Sequence, residues 1–261
     1  MGRVREPGRA PVTAVIAAKD AGEHIASCVA SVVSWAAEVL VVENDSIDDT
    51  VRLAGEAGAT VFSHPFRTIG AQRNVAIARA RHDWILVLDA DERCTPELAT
   101  EVRSIVESPA GPAAYRIPRR NYFLGREVMH GEWAGDRPVR LFRRPLRYDE
   151  RPVHEHVLTD GPVGVLRASL LHYPYTSLDQ YFEKLGRYSG WWAEQNFGRG
   201  RRVSAPSVLA RPLVRFLTTY LLRGGFLDGA HGLVLAVLSA VSVAAKYARL
   251  WAMGREGGHP R

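Results

Sequence analysis

The sequence predicts an α/β protein built on a mostly parallel central sheet, and three observations favour this fold class. Short apolar runs alternate with helical patterns over the first hundred residues, the runs lack polar/apolar alternation, and signals for helix starts fall between them. Continuous apolar strands separated by helices are typical of a sheet that is covered on both faces. The predicted strands of this half are Val12–Ala17, Val39–Glu43, Thr60–Phe62 and Trp84–Leu88.

The helices predicted between these strands have recognisable starts. Ser46 followed by Asp49 resembles a capping box, and Thr95 followed by Pro96 is typical of an N-cap with proline in the first helical turn. The predicted helices are Glu23–Trp35, Asp48–Ala57 and Gly70–Ala80.

The pattern changes from about Ala113 to Tyr173, where short strands alternate with turn-rich segments that carry many Arg, His and Trp residues. Loops over a rigid sheet are where binding groups are commonly found. A helix is then predicted to begin at Ser177, with Gln180 as its capping partner. The short strands predicted before it are Tyr115–Pro118, Val139–Phe142 and Val163–Leu166.

These changes predict three regions. Residues 1–11 are expected to be a flexible N-terminus, and residues 12–175 a catalytic domain with a nucleotide-binding half (12–108) and an acceptor-side half (109–175). Residues 176–261 are expected to form a helical, membrane-associating region.

Composition narrows the possible classes of protein. Hydrophobic residues make up 46% of the 261 residues and charged residues 24%, which is typical of a globular protein and argues against wholesale disorder. Cys28 and Cys94 are too few for a disulfide framework and match no metal-ligand spacing, so a reducing cytoplasm is the simplest compartment.

The net charge of +6 is concentrated near the C-terminus, where residues 199–261 hold ten Lys and Arg residues against two acidic ones. A basic segment is suited to nucleic acid or to an anionic membrane. Long apolar runs accompany the charges here, so we predict a membrane surface as the partner and no nucleic acid.

The prediction of membrane association is based on two segments of this region. Arg211, Arg215, Thr219 and Arg223 recur every four residues and give one helix a polar face, as in a helix that lies in the membrane interface. Leu233–Ala245 is an apolar run of 13 residues, which is short of the ~20 needed to span a bilayer. We therefore expect peripheral or monotopic attachment, with a buried core helix or a dimer contact as the alternative for this run.

Acidic and polar residues follow the predicted strands. The first strand leads into Lys19-Asp20, the second into Glu43-Asn44-Asp45, and the fourth into Asp89-Ala90-Asp91-Glu92. Ligands of open α/β sheets bind beyond the carboxyl ends of the strands. Clustered carboxylates repel one another, and Mg²⁺ or Mn²⁺ held together with substrate phosphates would supply the counter-charge. The alternative is a structural role, in which these acidic side chains only cap helices and lie in solvent-exposed turns.

The order of these segments resembles the family 2 glycosyltransferases, which have the GT-A fold. The segments VTAVIAAKD, VLVVENDSIDDT, GAQRNVAIARA and WILVLDADE follow one another as in that family. The chain is most similar to the lipopolysaccharide-core β-glucosyltransferase group, on four short motifs. These are Gly70–Asn74, Arg140–Arg143, Val153–Glu155 and Phe226–Gly229.

The resemblance implies an inverting transfer from a nucleoside-diphosphate sugar, with a divalent metal, to a lipid-linked or cell-envelope glycan. It implies that Asp91 is the main metal ligand beneath the diphosphate. Asp20 and Glu43 deviate from the residues that are more common in the family, so the nucleobase is left open. The residues expected at the donor are Lys19, Asp20, Glu43, Asp45, Arg73, Asp89 and Ala90.

An inverting transfer also needs a base that takes the proton of the acceptor hydroxyl. Glu155, in the segment that matches the family, is the residue we expect in this role; a surface acid paired with Arg151 is the alternative. On the acceptor side we expect Trp133, Arg140 and His154. Trp133 would stack on a sugar ring or serve as a core or interface anchor, and Arg140 would meet a phosphate or lie on a solvated strand face.

Other features of the sequence would favour different classes of protein. His154, His156 and His172 would make a zinc hydrolase if they met as three ligands, although no known zinc spacing is present. In the transferase interpretation, His172 contacts the metal or the diphosphate. A non-catalytic, membrane-attached nucleotide-binding protein is the third class. A nucleotidyltransferase is disfavoured because no Gly-rich phosphate loop follows the first strand.

The sequence leaves several points open. It does not identify the donor sugar, although a hexose such as glucose is expected, nor the acceptor, the metal or the oligomeric state. The expected location is the cytoplasmic face of the cytoplasmic membrane.

Overall fold

The computed structural model describes residues 8–151 and 155–256 of the chain. They fall into two compact units. The first combines the described residues up to Arg120 with those of 135–172, and the second combines residues 121–134 with the described residues from Tyr173 onward.

The first unit contains a seven-stranded sheet with strand order β10-β6-β9-β4-β1-β2-β3. Strand β1 is parallel to β2 and β4, and β2 is parallel to β3, whereas β9 runs antiparallel to β4 and β6. This confirms the predicted mostly parallel sheet. The strands are β1 (Ala10–Ala18), β2 (Ala36–Glu43), β3 (Thr60–Ser63), β4 (Trp84–Asp89), β5 (Glu92–Cys94), β6 (Ala114–Arg116), β7 (Arg119–Phe123), β8 (Arg126–Val128), β9 (Val139–Arg143), β10 (Val163–Val165) and β11 (Leu170–Tyr175).

The central strands are largely apolar because both faces of the sheet are covered. Leu86 and Leu88 of β4 pack in one buried cluster, and Ile85 and Val87 pack in the other. Helices cover these faces, as parallel connections require. The helices of the first unit are α1 (Ile25–Val33), α2 (Thr50–Glu56), α3 (Ile69–Arg79) and α4 (Pro96–Val106).

Two helix starts follow the sequence signals and one does not. Thr95 Oγ1 accepts a hydrogen bond from Leu98 N at 3.2 Å and caps α4 as predicted. The predicted capping box of Ser46 and Asp49 is wrong: the N-cap of α2 is Asp49, and Ser46 Oγ accepts instead from Asp20 N. A second threonine, Thr68, caps α3 by accepting from Ala71 N at 3.1 Å.

The second unit is largely helical. Its helices are α5 (Leu178–Gly198), α6 (Ala205–Leu217) and α7 (Gly229–Glu256), with a π-helical turn at Thr218–Leu222 and a 3₁₀ turn at Gly225–Asp228. Ser177 caps α5 and accepts from Gln180 N at 3.2 Å, as the sequence predicts. The chain crosses between the units within β7, between residues 134 and 135, and within β11.

One sequence expectation needs correction, and two features of the structure go beyond the predictions. Ala10 and Pro11 belong to β1, so the flexible N-terminus predicted for residues 1–11 extends too far. Strands β5, β7, β8 and β11 were not predicted. The apolar run Leu233–Ala245 lies within a longer helix that continues through Lys246, and the expected peripheral or monotopic attachment stays a prediction. The segment Gly225–Arg255 is long and apolar enough to cross a membrane by length and composition, which is weak evidence for a single helix.

Candidate active site

The candidate site lies at the carboxyl ends of β1, β2 and β4 in the first unit. The register of the sheet pairs Ala18 with Glu43 and Ala17 with Asp89, so the polar residues that follow these strands emerge along one edge. This is the edge at which open α/β sheets bind their ligands.

Asp89, the last residue of β4, is held by three arginines. Arg73 of α3 contacts its Oδ1, and Arg119 and Arg140 contact its Oδ2, with Arg119 Nη2 at 2.8 Å. Burial raises the pKa of Asp89, but the positive charges of Arg140, Arg73 and Arg119 outweigh it and hold the pKa well below its usual range. Asp89 is therefore a fixed anion at neutral pH.

Glu92 belongs to the same ionic network. Its side chain is fully buried, and its Oε1 accepts from Arg119 Nε at 2.5 Å while its Oε2 accepts from the backbone of Asp89 at 2.7 Å. The guanidinium groups of Arg119 and Arg140 supply counter-charge to Asp89 and Glu92, and the expectation of a divalent ion at this cluster stays a prediction.

Glu155 lies beside this network. Arg73 uses Nη1 to contact Glu155 Oε1 and Nη2 to contact Asp89 Oδ1, so one guanidinium joins the predicted base to the end of β4. The Arg73 side chain is only 6% exposed. The surface pairing of Glu155 with Arg151 weighed above does not occur, because Arg151 pairs with Asp149 at 2.9 Å.

Asp91 and His172 approach each other next to the network. His172 lies on β11, opposite Glu92 in the antiparallel pairing of β11 with β5. Its Nε2 is 3.6 Å from Asp91 Oδ1, and both side chains are partly exposed. Sequence reasoning placed both residues at the metal, and the fold brings them together.

The other predicted donor residues lie in the loops after β1 and β2. Asp20 and Asp45 both adopt positive φ angles, of 45° and 50°. Asp20 Oδ1 accepts from Ile47 N at 2.9 Å, and Lys19 Nζ donates to the backbone oxygen of Asn44 at 3.1 Å. These bonds tie the two loops together. Ala90 follows Asp89 and is partly exposed.

The carboxylate of Glu43 is hydrogen-bonded to other residues of the protein. Its Oε1 accepts from Ser63 Oγ and its Oε2 from Ser46 N at 3.0 Å. Burial raises the pKa of Glu43, and the hydrogen bonds from Ser63 and Ser46 outweigh it, so the pKa lies below the usual value. Glu43 thus holds the loop after β2 in place.

Comparison with known proteins identifies the family. Residues 13–173 match the model described as glycosyl transferase family 2. The chain belongs to this family. It is accordingly a glycosyltransferase that uses nucleotide sugars, and it has the GT-A type of fold that the sequence predicted.

Individual relatives resemble most of the chain. The lipopolysaccharide core biosynthesis glycosyltransferase LpsC of Rhizobium meliloti is 28% identical, covering 91% of this chain and 93% of its own length. An uncharacterised glycosyltransferase of Rickettsia prowazekii is 26% identical, covering 92% and 86%. The structure of glucosyl-3-phosphoglycerate synthase from Mycobacterium tuberculosis with Mg²⁺ and UDP is 22% identical, covers 43% of this chain and 44% of that one, and has a TM-score of 0.38.

Two of the predicted acceptor-side residues of this family 2 enzyme lie among the described residues. Arg140 is buried in the network around Asp89 and Glu92 rather than presented to an acceptor. Trp133 belongs to the second unit, where its ring stacks on Tyr175 at 6.1 Å between centroids. His154 lies outside the described residues.

The alternative of a zinc hydrolase built on histidines is not supported by the described residues, 8–151 and 155–256. They contain no group of three or more His, Cys, Asp or Glu side chains that is arranged to hold a metal. His156 donates its backbone N–H to Asp149 Oδ1 at 3.1 Å and has an exposed side chain.

Sequence reasoning missed Arg119. This residue contacts Asp89, Glu92 and Asp136, the last at 2.9 Å. The signal that pointed to such a residue was Glu92, because a buried carboxylate requires a partner of opposite charge. The chain offers many arginines, and only the fold selects among them.

Proposed function

We propose that this family 2 enzyme is an inverting, metal-dependent glycosyltransferase. It transfers a hexose, such as glucose, from a nucleoside-diphosphate sugar to a lipid-linked or cell-envelope glycan at the cytoplasmic face of the cytoplasmic membrane. The observation that carries the proposal is the bridge from Glu155 through Arg73 to Asp89 at the end of β4. A carboxylate beside the edge at which the donor is expected supports the assignment of Glu155 as the base.

The proposed reaction is a single displacement. An acceptor hydroxyl attacks the anomeric carbon of the donor sugar while Glu155 takes its proton, so the new glycosidic bond forms as the bond to the diphosphate oxygen breaks. The electron pair of the broken bond leaves with the nucleoside diphosphate. Arg73 contacts Oε1 of Glu155, and we assign the proton to Oε2.

Asp91 and His172 would hold the divalent ion. Mg²⁺ and Mn²⁺ are commonly bound by one or two protein groups together with substrate phosphates, and the pair at 3.6 Å fits such a partial ligand set. The ion, when bound, neutralises charge on the departing diphosphate. Asp89 stays bound to its arginines throughout.

The loops after β1 and β2 are proposed to receive the nucleoside. Lys19, Asp20 and Asp45 form the part of this edge held together by the bonds between the two loops. Glu43 acts there through Ser46 rather than by direct contact with the base.

The acceptor is inferred from a relative and from the second unit. LpsC carries the name of a lipopolysaccharide-core enzyme, and we extend an acceptor of that class to this chain. Helices α6 and α7 expose many apolar side chains, which favours attachment to a membrane where a lipid-linked acceptor resides. Among them are Leu209, Leu213, Val214, Leu217, Val237 and Val241.

A donor screen tests the proposal. Calorimetric binding of UDP-, GDP- and TDP-sugars is measured with and without Mn²⁺, followed by release of the nucleoside diphosphate in the presence of envelope glycan extracts. We expect one class of donor to bind and to be turned over slowly with the metal. Failure of all three classes to bind would contradict the proposal.

A further inference from the structure

The second unit contains a polar cavity that the transfer reaction does not use. It has a volume of about 190 Å³ and is lined by residues of α6, α7, the π-helical turn and the segment His130–Trp133. A groove of about 480 Å³ shares three of its lining residues, Arg215, Val243 and Lys246. The two spaces therefore meet around the same pair of cations.

Positive charge is in excess along these walls. Arg211, Arg215 and Lys246 line the cavity or the groove, and Glu132 is the single acid among the described residues that line them. Both oxygens of Glu132 are already occupied, by Arg215 Nη1 at 3.1 Å and by Ser239 Oγ at 2.5 Å. Lys246 makes no hydrogen bond or ion pair with any residue in the part of the chain that the structure describes. An anion would satisfy it.

A buried hydroxyl points to the same kind of ligand. Thr219 lines the cavity, its side chain is almost wholly buried, and its Oγ1 has no hydrogen-bond partner among the described residues. A buried polar group without a partner is costly, and a ligand oxygen would relieve that cost. Thr219 belongs to the π-helical turn Thr218–Leu222, and such turns are frequent at functional sites.

Exposed apolar side chains lie on the two helices that line the groove, α6 and α7. Val214 lines the groove and is 62% exposed, and Leu213 and Leu217 on the same helix are also exposed. Val237 and Val241 of α7 are exposed as well. A ligand that combines an anionic head with apolar chains matches both features, whereas a small phosphate ester would match only the cations.

We propose that the cavity around Arg215, Thr219 and Lys246 binds the phosphate of an anionic lipid, whose apolar chains lie on the exposed side chains of α6 and α7. Thr219 donates its hydroxyl to a phosphate oxygen, and Lys246 pairs with the phosphate charge. The inference rests on the proposed attachment to a membrane but not on the transfer reaction.

The test measures binding of dihexanoyl phosphatidic acid, below its micelle concentration, to the full chain by calorimetry. sn-Glycerol 3-phosphate serves as the same head group without chains. We expect Lys246→Met to weaken lipid binding by about tenfold or more, because a charged hydrogen-bond partner is lost. Thr219→Val, which keeps the shape and removes the hydroxyl, is expected to weaken it several-fold.

Arg249→Met is the matched control, since Arg249 is exposed on the same helix and does not line either space. Lys246→Arg is expected to retain most of the affinity, and unfolding midpoints of all variants confirm that they fold. Equal weakening by Arg249→Met, equally tight binding of glycerol phosphate, or no lipid binding would each overturn the proposal.

Donor binding, measured on the same samples without lipid, separates this inference from the proposed function. Lys246→Met should leave it unchanged. If the lipid binds as expected while no sugar nucleotide does, the transfer reaction fails and the lipid site stands.

Discussion

At the scale of single residues, the site depends on Arg73. Its guanidinium contacts Asp89 with one nitrogen and Glu155 with the other. A planar guanidinium holds two carboxylates in a fixed geometry, which the flexible ammonium of lysine does not. The orientation of the proposed base is thereby coupled to the end of β4.

The proposed role of Glu155 predicts a specific kinetic change. Glu155→Gln keeps the size of the side chain and removes the base, so kcat should fall by about 10²–10⁴-fold. Donor affinity should stay within a few-fold, because Glu155 acts on the acceptor proton. Initial rates and donor calorimetry measure the two quantities.

Glu150→Gln, at an exposed neighbouring position, is the control and should leave kcat unchanged. A Glu155→Gln enzyme with near-normal kcat would exclude this residue as the base.

The ion pairs of Asp89 predict that replacing this residue changes the free energy of unfolding and the way it depends on pH. Asp89→Asn leaves three guanidinium groups without their shared anion and should lower the free energy of unfolding at pH 7 by about 3–5 kcal/mol. The depressed pKa of Asp89 means that its stabilisation is present above the unfolded pKa of about 3.9 and is lost as the pH falls through the lower folded value.

The difference between wild type and Asp89→Asn should therefore narrow below about pH 4. Urea unfolding of both proteins at several pH values measures it. A difference that is small at pH 7, or that grows as the pH falls, would contradict the role given to the arginines.

At the scale of elements, the start of α3 is fixed by a close approach. A Cβ on Gly70 would lie 2.2 Å from the backbone oxygen of Asp149, so only glycine fits. Asn74, one turn later, exchanges two hydrogen bonds of 2.9 Å with the backbone of Tyr148. These contacts set the position from which Arg73 reaches its two carboxylates.

Gly70→Ala should therefore destabilise the protein by about 1–3 kcal/mol through this clash, although alanine is the better helix former. Gly55→Ala, within α2 and with open space around its Cβ, should be neutral or stabilising by up to about 1 kcal/mol. Thermal unfolding of both variants makes the comparison, and equal effects would argue against the close approach.

The elements also explain what was predictable. The strands β1, β2 and β4 carry continuous apolar runs, so their existence and the emergence of Asp89 and Asp91 at one edge follow from the sequence. The arginine partners of Asp89 do not follow from the sequence. Three separate elements supply them, namely Arg73, Arg119 and Arg140, and their meeting depends on the register of β9 and on the position of β7. Ser46 was misassigned for a similar reason, because its hydroxyl is used by the loop after β1.

At the scale of the whole molecule, the candidate chemistry and the candidate membrane contacts belong to different units. The ionic network, Glu155, Asp91 and His172 all lie in the first unit, and the exposed apolar faces of α6 and α7 lie in the second. The helix α7 extended further than its apolar run because Lys246 is a good helix former and does not end a helix.

This division predicts that membrane attachment and donor binding are separable. The double variant Leu213→Glu and Leu217→Glu places charges on the exposed face of α6 and should reduce flotation with anionic vesicles by about tenfold or more. Donor affinity should not change. Val51→Glu, at an exposed apolar position of α2, is the control, and an equal loss with it would contradict attachment through α6.

The central claim is that Asp91, at the end of β4, works on the diphosphate of a sugar nucleotide with a divalent ion. It is tested most directly by the metal-dependent release of nucleoside diphosphate from the bound donor, comparing wild type with Asp91→Asn and with the exposed control Asp83→Asn. We expect a rate that rises with Mn²⁺ in wild type and in Asp83→Asn and falls by about 10²-fold or more in Asp91→Asn. Turnover by Asp91→Asn at the wild-type rate, with the same response to the metal, would contradict it.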